Sequence, residues 1–472
     1  MIKNIIEKEW LEYKQDKKLY WIIGSLYLLF IIALISGANY YTSVTKQSSI
    51  AQKASYEQWL RQGKKNPHSA AHYGFYAYKP LSALAIIDKG MENYLGQAVW
   101  LEAHNQNEVK ERDATDAGSI VRFGNLNVAF IFVVLLPLAI ILLGFNIFSK
   151  EREWGTLPLL LSSSTSAKAI LKSKALAFYQ LVVLTFLPML VIAAIAILYV
   201  AGAGEIVKVL PHFIFLSVFL LMYYAVWVLL SLYISSLVKQ SAVSLVGLLA
   251  FWLFGTFLLP RVGGIVAKAI YPTPSSFSFS NNIRLDNELG IDRNSPASLR
   301  QKLFEDSLLK KYAVDSLTKL PLNIRGLNLE RGEEYGYLIF EKNYGGLENT
   351  YRKQDAVMNA LNIFSPVQSM RSISAGFSGT DINKQSHFAA LAENHRRLIA
   401  QTMNDDIAAN SVGIANYEVD ANFWKKIPPF QYKEASFVAV TQFQLFPLIS
   451  ILVWLCCLII LLQKRAVSIK GV

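Results

Sequence analysis

The chain alternates between long apolar stretches and polar segments. Six runs contain no Asp, Glu, Lys or Arg and have 19 or more residues each: 20–38, 127–148, 176–202, 211–234, 241–260 and 438–463. About 20 apolar residues suffice for a helix to cross the hydrocarbon core of a bilayer, whereas buried helices of soluble proteins are usually shorter. The pattern therefore predicts an all-α integral membrane protein with six transmembrane helices, TM1 to TM6 in chain order.

The connecting segments fall on alternate sides of the predicted membrane. One side holds 1–19, 149–175, 235–240 and 464–472, with 14 Lys and Arg against 6 acids in 61 residues. The other side holds 39–126, 203–210 and 261–437, with 32 bases against 28 acids in 273 residues. Lys and Arg concentrate in cytoplasmic loops, so we expect both termini to be cytoplasmic.

Composition supports this interpretation. Of the 472 residues, 53% are hydrophobic and only 17% are charged, and the formal net charge is +12. A positive net charge is also found in nucleic-acid-binding proteins. Because the excess lies beside the apolar runs, we interpret it as a topology signal and expect a lipid membrane, not a nucleic acid, as the partner.

The segment 1–19 predicts an amphipathic helix that lies at the membrane interface on the cytoplasmic side. Its apolar positions recur at helical spacing and fall on one face: Ile2, Ile5, Ile6, Trp10 and Tyr13. Such a helix buries its apolar face among lipid headgroups while its charged face stays in water.

Two long polar regions are predicted outside the cytoplasm. The first, 39–126, has 88 residues, and the second, 261–437, has 177, enough for an independent domain. The second has helical patterns at 296–319, at 329–361 with a break at Gly345-Gly346, and at 381–408, so we expect a mainly α domain. The end of the first region, 105–120, is expected to be an exposed loop.

Three histidines of the first region are weak candidates for a metal site. His68 and His72 have the i, i+4 spacing of a helical metal pair, but the stretch between them offers no third ligand. His104 would join them only through the fold. We therefore expect no metal site, and interpret these residues as hydrogen-bonded histidines of a folded domain.

Motifs for catalysis are missing from the sequence. It contains no GxxxxGK[ST] phosphate loop, no HExxH and no GxSxG. The six runs carry no ionisable coupling group apart from His212 at one end, which disfavours an ion-coupled carrier. We expect a non-enzymatic chain without a cofactor of its own.

The cytoplasmic segment 149–175 is the most informative. It begins with Glu151-Arg152-Glu153, continues with Gly155-Thr156-Leu157, and predicts a short helix around 150–161 broken by Gly and Pro. Acids at a helix N-terminus are favourable on their own. The residues alone leave two interpretations open: a well-capped interfacial loop, or a docking element for a cytoplasmic protein.

This segment resembles the cytoplasmic signature of type-2 ABC exporter permeases. The resemblance is carried by an acidic start, Gly-Thr-Leu, a Leu-Leu-Ser-Ser run and a lysine before the third span, here Glu151, Arg152, Glu153, Gly155, Thr156, Leu157, Leu160, Leu161, Ser162, Ser163 and Lys174. Trp154 stands where family members often have another charge. The six runs, the interfacial helix and the cytoplasmic termini also fit that fold.

The polar regions resemble one bacterial branch of this superfamily that carries two large extracytoplasmic insertions, the second known as a domain of unknown function. The matching stretches are His72-Tyr73-Gly74, Pro80, Asp88-Lys89-Gly90, Trp100 to His104, Arg122-Phe123-Gly124, Ser365-Pro366, Gly379-Thr380-Asp381, His387-Phe388 and Glu393 to Arg397. The resemblance covers nearly the whole chain.

The resemblance implies a permease subunit of the bacterial inner membrane that pairs with a second permease, identical or sibling, and with two ATPase subunits that bind ATP and Mg²⁺. Glu151, Arg152 and Glu153 would pair with charges on the ATPase, and Gly155 would allow close backbone approach. The expected function is ATP-driven export. One alternative is mechanotransmission, in which the outer regions move to act on an envelope protein without cargo transfer. The other is a membrane-anchored sensor or scaffold without an ATPase.

Overall fold

A computed structural model describes residues 2–104, 106, 107, 109, 126–162 and 166–469. Most of the loop expected at 105–120, the stretch Arg122-Phe123-Gly124, and Ser163 lie outside the described residues.

The described chain is mostly helical. Its α-helices are Ile2–Gln15 (α1), Lys17–Leu60 (α2), Pro67–Ala70 (α3), Val128–Phe130 (α4), Leu136–Gly144 (α5), Ser149–Glu153 (α6), Leu157–Ser162 (α7), Ala167–Leu237 (α8), Ser241–Leu253 (α9), Leu259–Ile270 (α10), Ser276–Leu289 (α11), Ala297–Tyr312 (α12), Ile324–Leu361 (α13), Pro366–Ser378 (α14), Ile382–Asn410 (α15), Ala421–Trp424 (α16), Phe437–Phe443 (α17) and Leu445–Ser468 (α18). The π-helical turns Ile131–Leu135 and Phe254–Leu258 join α4 to α5 and α9 to α10. Short 3₁₀ helices occupy Ala83–Ile86, Leu317–Lys319 and Asn362–Phe364.

Among the described residues, five helices are long and apolar enough to cross a membrane: Lys17–Leu60, Val128–Glu153, Ala167–Leu237, Ser241–Ile270 and Leu445–Ser468. The chain is therefore compatible with a membrane protein. The helix that contains the first apolar run has 44 residues, which at 1.5 Å per residue is about 66 Å. It extends well beyond the thickness of a bilayer core, so the polar stretch after the run continues the same helix.

The 71-residue helix α8 contains two of the predicted apolar runs and changes direction at Gly202. Gly202 has φ +74° and ψ 166°, outside the helical region and accessible mainly to glycine. The Tyr179 hydroxyl donates to the Leu221 carbonyl at 3.2 Å, so the two limbs run side by side in opposite directions.

The four Lys- and Arg-rich segments meet at one end of the helical bundle, which we call the basic end. Arg152 and Arg465 both donate to the Ser236 carbonyl, at 2.8 and 2.7 Å, and Lys174 contacts Glu9 of α1 at 2.5 Å. Helix α1 and the end of α18 thus lie at the same end of the bundle.

Two parts of the long polar regions pack inside the bundle. The 3₁₀ helix Ala83–Ile86 is fully buried, and helix α14 contributes Val367, Met370 and Ile373 to the same apolar cluster as the long helices. These parts of 39–126 and 261–437 therefore belong to the core of the bundle. Their apolar side chains gain more by packing against the helices than by facing water.

The two polar regions share a second apolar core, so they do not form independent domains. Trp59 and Phe75 from the first region pack with Phe388, Ile399 and Trp424 from the second. We call this unit the polar domain. Its first half includes a two-stranded antiparallel sheet of Gly74–Tyr78 (β1) and Ala98–Glu102 (β2), with Gly74 paired to Glu102.

Three further positions compare helix boundaries in the structure with those predicted from the sequence. Asp381 caps α15 by accepting from the Lys384 amide at 3.1 Å, as predicted. The break expected at Gly345-Gly346 is wrong, because α13 is continuous there; a glycine inside a helix costs only about 1 kcal/mol. The last apolar run is divided at Gln444, whose side chain accepts from Ser372 and donates to Asp381.

Candidate functional site

The candidate site is the segment 149–162 at the basic end, which consists of α6 and α7 joined by a sharp turn. The break falls at Gly155, and Pro158 lies in the first turn of α7, where proline is tolerated because that amide has no helical partner. Gly155 has φ +70°, and no atom lies within 4 Å of where a β-carbon would stand. Within this chain, backbone conformation rather than the expected close approach therefore requires the glycine.

Glu151 points into the protein and forms ion pairs there. One carboxylate oxygen, Oε1, lies 2.8 Å from Lys174 Nζ and 2.8 Å from Lys8 Nζ, while Oε2 accepts from the Thr156 hydroxyl. Burial opposes ionisation, but the Lys174 charge, with hydrogen bonds from Lys174, Lys8 and Thr156, lowers the pKa of the Glu151 carboxyl to about 2. The carboxylate is thus charged at neutral pH and satisfied within this chain.

Helix α1 supplies the other half of this network. Glu9 is fully buried and lies 2.5 Å from Lys174 Nζ, and Glu12 is bonded to Lys150 and to Lys8. Three lysines and three glutamates are thus interlocked, which we call the charge network: Lys8, Lys150, Lys174, Glu9, Glu12 and Glu151. Buried pairs of this kind gain little net stability, but removal of one partner costs about 3–5 kcal/mol, so they specify geometry.

Arg152 and Glu153 attach α6 to the ends of two long helices. Arg152 donates to the carbonyls of Ser236 and Val238 at 2.8 and 3.0 Å, where α8 leaves its last carbonyls without helical partners. Glu153 accepts from the Ser241 amide at 3.1 Å and from its hydroxyl, at the first turn of α9. A cation at a helix C-terminus and an anion at an N-terminus are both favoured by the helix dipole.

The segment exposes two large apolar side chains. Trp154 is 72% exposed and Leu159 is 70% exposed, whereas Leu157 is buried. Glu151, expected to pair with charges on a partner, has its carboxylate paired inside the protein. We call Trp154, which directly follows α6, and Leu159 of α7 the exposed pair; Glu153 is exposed beside Trp154.

Sequence reasoning missed the members of the charge network on α1. Glu9 lies four residues after Ile5 and four before Tyr13, both assigned to the apolar face, so an acid on that face was a visible signal. Lys174 likewise lies four residues after Ile170 and four before Phe178, both fully buried. A charge in a helical stripe of buried positions indicates a buried partner.

The polar domain brings His68, His72 and His104 together. One nitrogen of each lies within 4.8 Å of those of the other two, although the sequence distance between the first and last is 36 residues. His212 lies at the end of the bundle away from the charge network, with its ring 5.1 Å from that of Phe437.

Comparison with known proteins reaches only part of the chain. Residues 284–433 match a family model described as a domain of unknown function (DUF3526). The match lies in the second polar region and leaves the apolar helices and segment 149–162 unassigned. A search of the curated proteins finds no match.

Proposed function

We propose that this chain is the membrane permease subunit of an ABC transporter of the type-2 exporter class. The observation that carries the proposal is the arrangement of segment 149–162: an exposed apolar pair, Trp154 and Leu159, beside the short helix α6, which is bonded to α1, α8 and α9. The basic end is the cytoplasmic side of the bacterial inner membrane. The two limbs of α8 are separate spans, which makes six.

The ATPase subunit, which binds ATP and Mg²⁺, docks on the exposed pair. Apolar side chains that are mostly exposed at one end of a membrane bundle are the kind of surface that a protein partner covers. Glu153, whose carboxylate is also exposed, adds charge at the rim of this contact.

Motion of the ATPases reaches the spans through the hydrogen bonds of α6. A displacement of α6 moves Lys174 at the start of α8, Ser236 near its end, and Ser241 at the start of α9. ATP drives such a change only because the ATPase dimer binds one arrangement of the permease more tightly than the other. A second permease, identical or sibling, completes the transporter.

Mechanotransmission is the second candidate, and a specific observation favours it. Helix α14 is buried in the bundle through Met370 and Phe377, and the next helix, α15, belongs to the polar domain through Phe388. A shift of the long helices therefore moves the polar domain directly. In this alternative the polar domain acts on an envelope protein and no cargo crosses the bilayer.

The experiment is co-purification of the chain with the ATPase encoded beside it, from membranes that express both. We expect Trp154→Asp and Leu159→Asp to reduce recovery of the ATPase at least tenfold, and Phe277→Asp to leave it unchanged, since Phe277 is exposed on α11 far from the basic end. Equal recovery with all three variants would overturn the docking surface. If no ATPase is recovered with the unmodified chain, the sensor or scaffold alternative replaces the proposal.

The two candidates separate in spin-label distance measurements between α11 and the basic end. Export predicts that ATP opens a path between the permeases with detectable transfer of cargo into vesicles. Mechanotransmission predicts a displacement of α11 on ATP binding while the bundle stays sealed.

A further inference from the structure

Two histidines lie opposite each other at the open end of the β1–β2 hairpin, where Gly74 pairs with Glu102. His72 lies in the turn before β1 and His104 in the bend after β2, each two residues outside the pair that Gly74 forms with Glu102. His68 precedes them in the short helix α3, whose start is held by the Asn66 side chain accepting from the His68 amide at 2.9 Å. The hairpin and α3 therefore direct three imidazoles toward one point.

The geometry is close to that of a three-histidine metal site. The ring centroids lie 4.8 Å apart for His72 and His104, and 5.0 Å apart for His68 and His104. A tetrahedral ion with metal–nitrogen bonds of about 2.0–2.1 Å needs ligand atoms about 3.3 Å apart. The nitrogens lie within 4.8 Å of one another, so modest rotations of the side chains bring them to that distance, and His72 is exposed and has room to rotate.

Two buried ring nitrogens have no hydrogen-bond partner among the described residues. They are His104 Nε2 and His68 Nδ1, and both atoms are buried. Buried polar atoms in folded proteins are nearly always paired with protein, water or an ion. An orphaned nitrogen on each of two adjacent imidazoles indicates that something between the rings accepts their lone pairs.

Glu333 of α13 orients His104 in the way that metal-bound histidines are oriented. Its Oε1 lies 3.0 Å from His104 Nδ1, and its Oε2 accepts from the Asn404 side chain at 2.6 Å. A carboxylate at Nδ1 keeps the proton there, which leaves the Nε2 lone pair free to bind a metal ion.

We propose that His68, His72 and His104 bind one transition-metal ion of the Zn²⁺ class, with Glu333 as the positioning residue of His104. Three imidazoles without a ligating carboxylate suit Zn²⁺ and Cu²⁺ and disfavour Mg²⁺ and Ca²⁺. The exposed side at His72 leaves the fourth position to water or to a donor from a partner. A bound ion links α3 to the open end of the β1–β2 hairpin.

The test uses the full chain in detergent, purified through a tag that contains no histidine and freed of metal by EDTA. We expect one equivalent of Zn²⁺ by titration against a competing chelator dye. His104→Gln and His68→Gln should weaken binding at least 100-fold, and Glu333→Gln should weaken it about 10–100-fold, the usual effect of losing a carboxylate partner of a ligand.

His387→Gln is the matched control, because His387 also belongs to the polar domain but contacts Tyr432 instead of the three histidines. It should bind Zn²⁺ as the unmodified chain does. A thermal unfolding curve recorded without metal shows whether each variant folds, and Co²⁺, whose visible spectrum reports tetrahedral nitrogen ligation, shows whether folded variants keep the site.

The outcomes decide the proposal independently of any ATPase. One equivalent of Cu²⁺ with no Zn²⁺ binding supports the site and identifies the ion as copper. Zn²⁺ binding that His104→Gln and His68→Gln leave unchanged overturns it, as does absence of binding by either ion to the folded chain.

Discussion

Lys174 and Glu151 form an ion pair that is shielded from solvent, with Nζ 2.8 Å from Oε1 and each side chain at most 2% exposed. The same ammonium lies 2.5 Å from Glu9, so one lysine at the start of α8 holds both α6 and α1. In the proposed transporter, this lysine is the point at which a push on the cytoplasmic segment enters the long helices.

Replacement of Lys174 should destabilise the basic end strongly. Lys174→Met keeps most of the side-chain volume but leaves Glu9 and Glu151 without their shared partner, and an uncompensated buried charge costs about 3–5 kcal/mol. We expect a clear fall in the thermal unfolding temperature of the purified protein. Lys172→Met is the matched control, because Lys172 is exposed on the same helix. An equal effect of both substitutions would contradict the network.

Coupling between Lys174 and Glu151 is measurable in a double-mutant cycle. Glu151→Gln alone leaves Lys174 with Glu9, and the double variant with Lys174→Met removes one of the two buried carboxylates that Lys174→Met alone deprives of their shared lysine. The double variant should therefore be more stable than the sum of the single effects predicts, by about 0.5–3 kcal/mol, the usual range for residues in one network. Strict additivity would show that the pair does not interact.

The contribution of Glu151 to the stability of the folded protein should not depend on pH between 5.5 and 7.5. Its pKa falls from the usual 4.5 to about 2 on folding, so the stabilisation is fully present above pH 4.5 and is lost as the pH falls toward 2. The groups that contact its carboxylate are Lys174, Lys8 and Thr156. The difference in unfolding temperature between the unmodified chain and Glu151→Gln should be equal at the two pH values. A difference that disappears at pH 5.5 would contradict the low pKa.

The sequence predicts much of the architecture because the spacing of apolar residues and the position of charges determine helices and caps from residues close together in the chain. The apolar runs, the interfacial helix and the Asp381 cap depend on residues close in the chain, and the structure confirms the helical character of the runs, the helix α1 and the cap. The features that the sequence does not predict are contacts between elements that are far apart in the chain. Nothing local shows that His104 reaches His68, or that α14 leaves the polar domain and packs in the bundle.

Replacement of Gly155 should reduce stability because of its left-handed backbone conformation. A residue with a β-carbon in the left-handed region loses about 1–2 kcal/mol, although nothing surrounds the position. We expect Gly155→Ala to lower the stability of the α6–α7 turn and to weaken ATPase recovery in the co-purification. Gly264→Ala is the control: Gly264 is equally unobstructed but lies within α10, where alanine is favoured over glycine. A loss of stability in the control alone would contradict the argument from φ.

Helix α14 should behave as part of the bundle core. Met370 is fully buried there, and a methionine-to-alanine substitution in a core costs about 2–5 kcal/mol through lost transfer energy and the cavity left behind. We expect Met370→Ala to lower the unfolding temperature of the whole protein and to increase hydrogen exchange in both α14 and the neighbouring α18. Met91→Ala, at a position that is 43% exposed, should have little effect. If Met370→Ala increases exchange only in the polar domain, α14 does not link that domain to the long helices, and the structural argument for mechanotransmission fails with it.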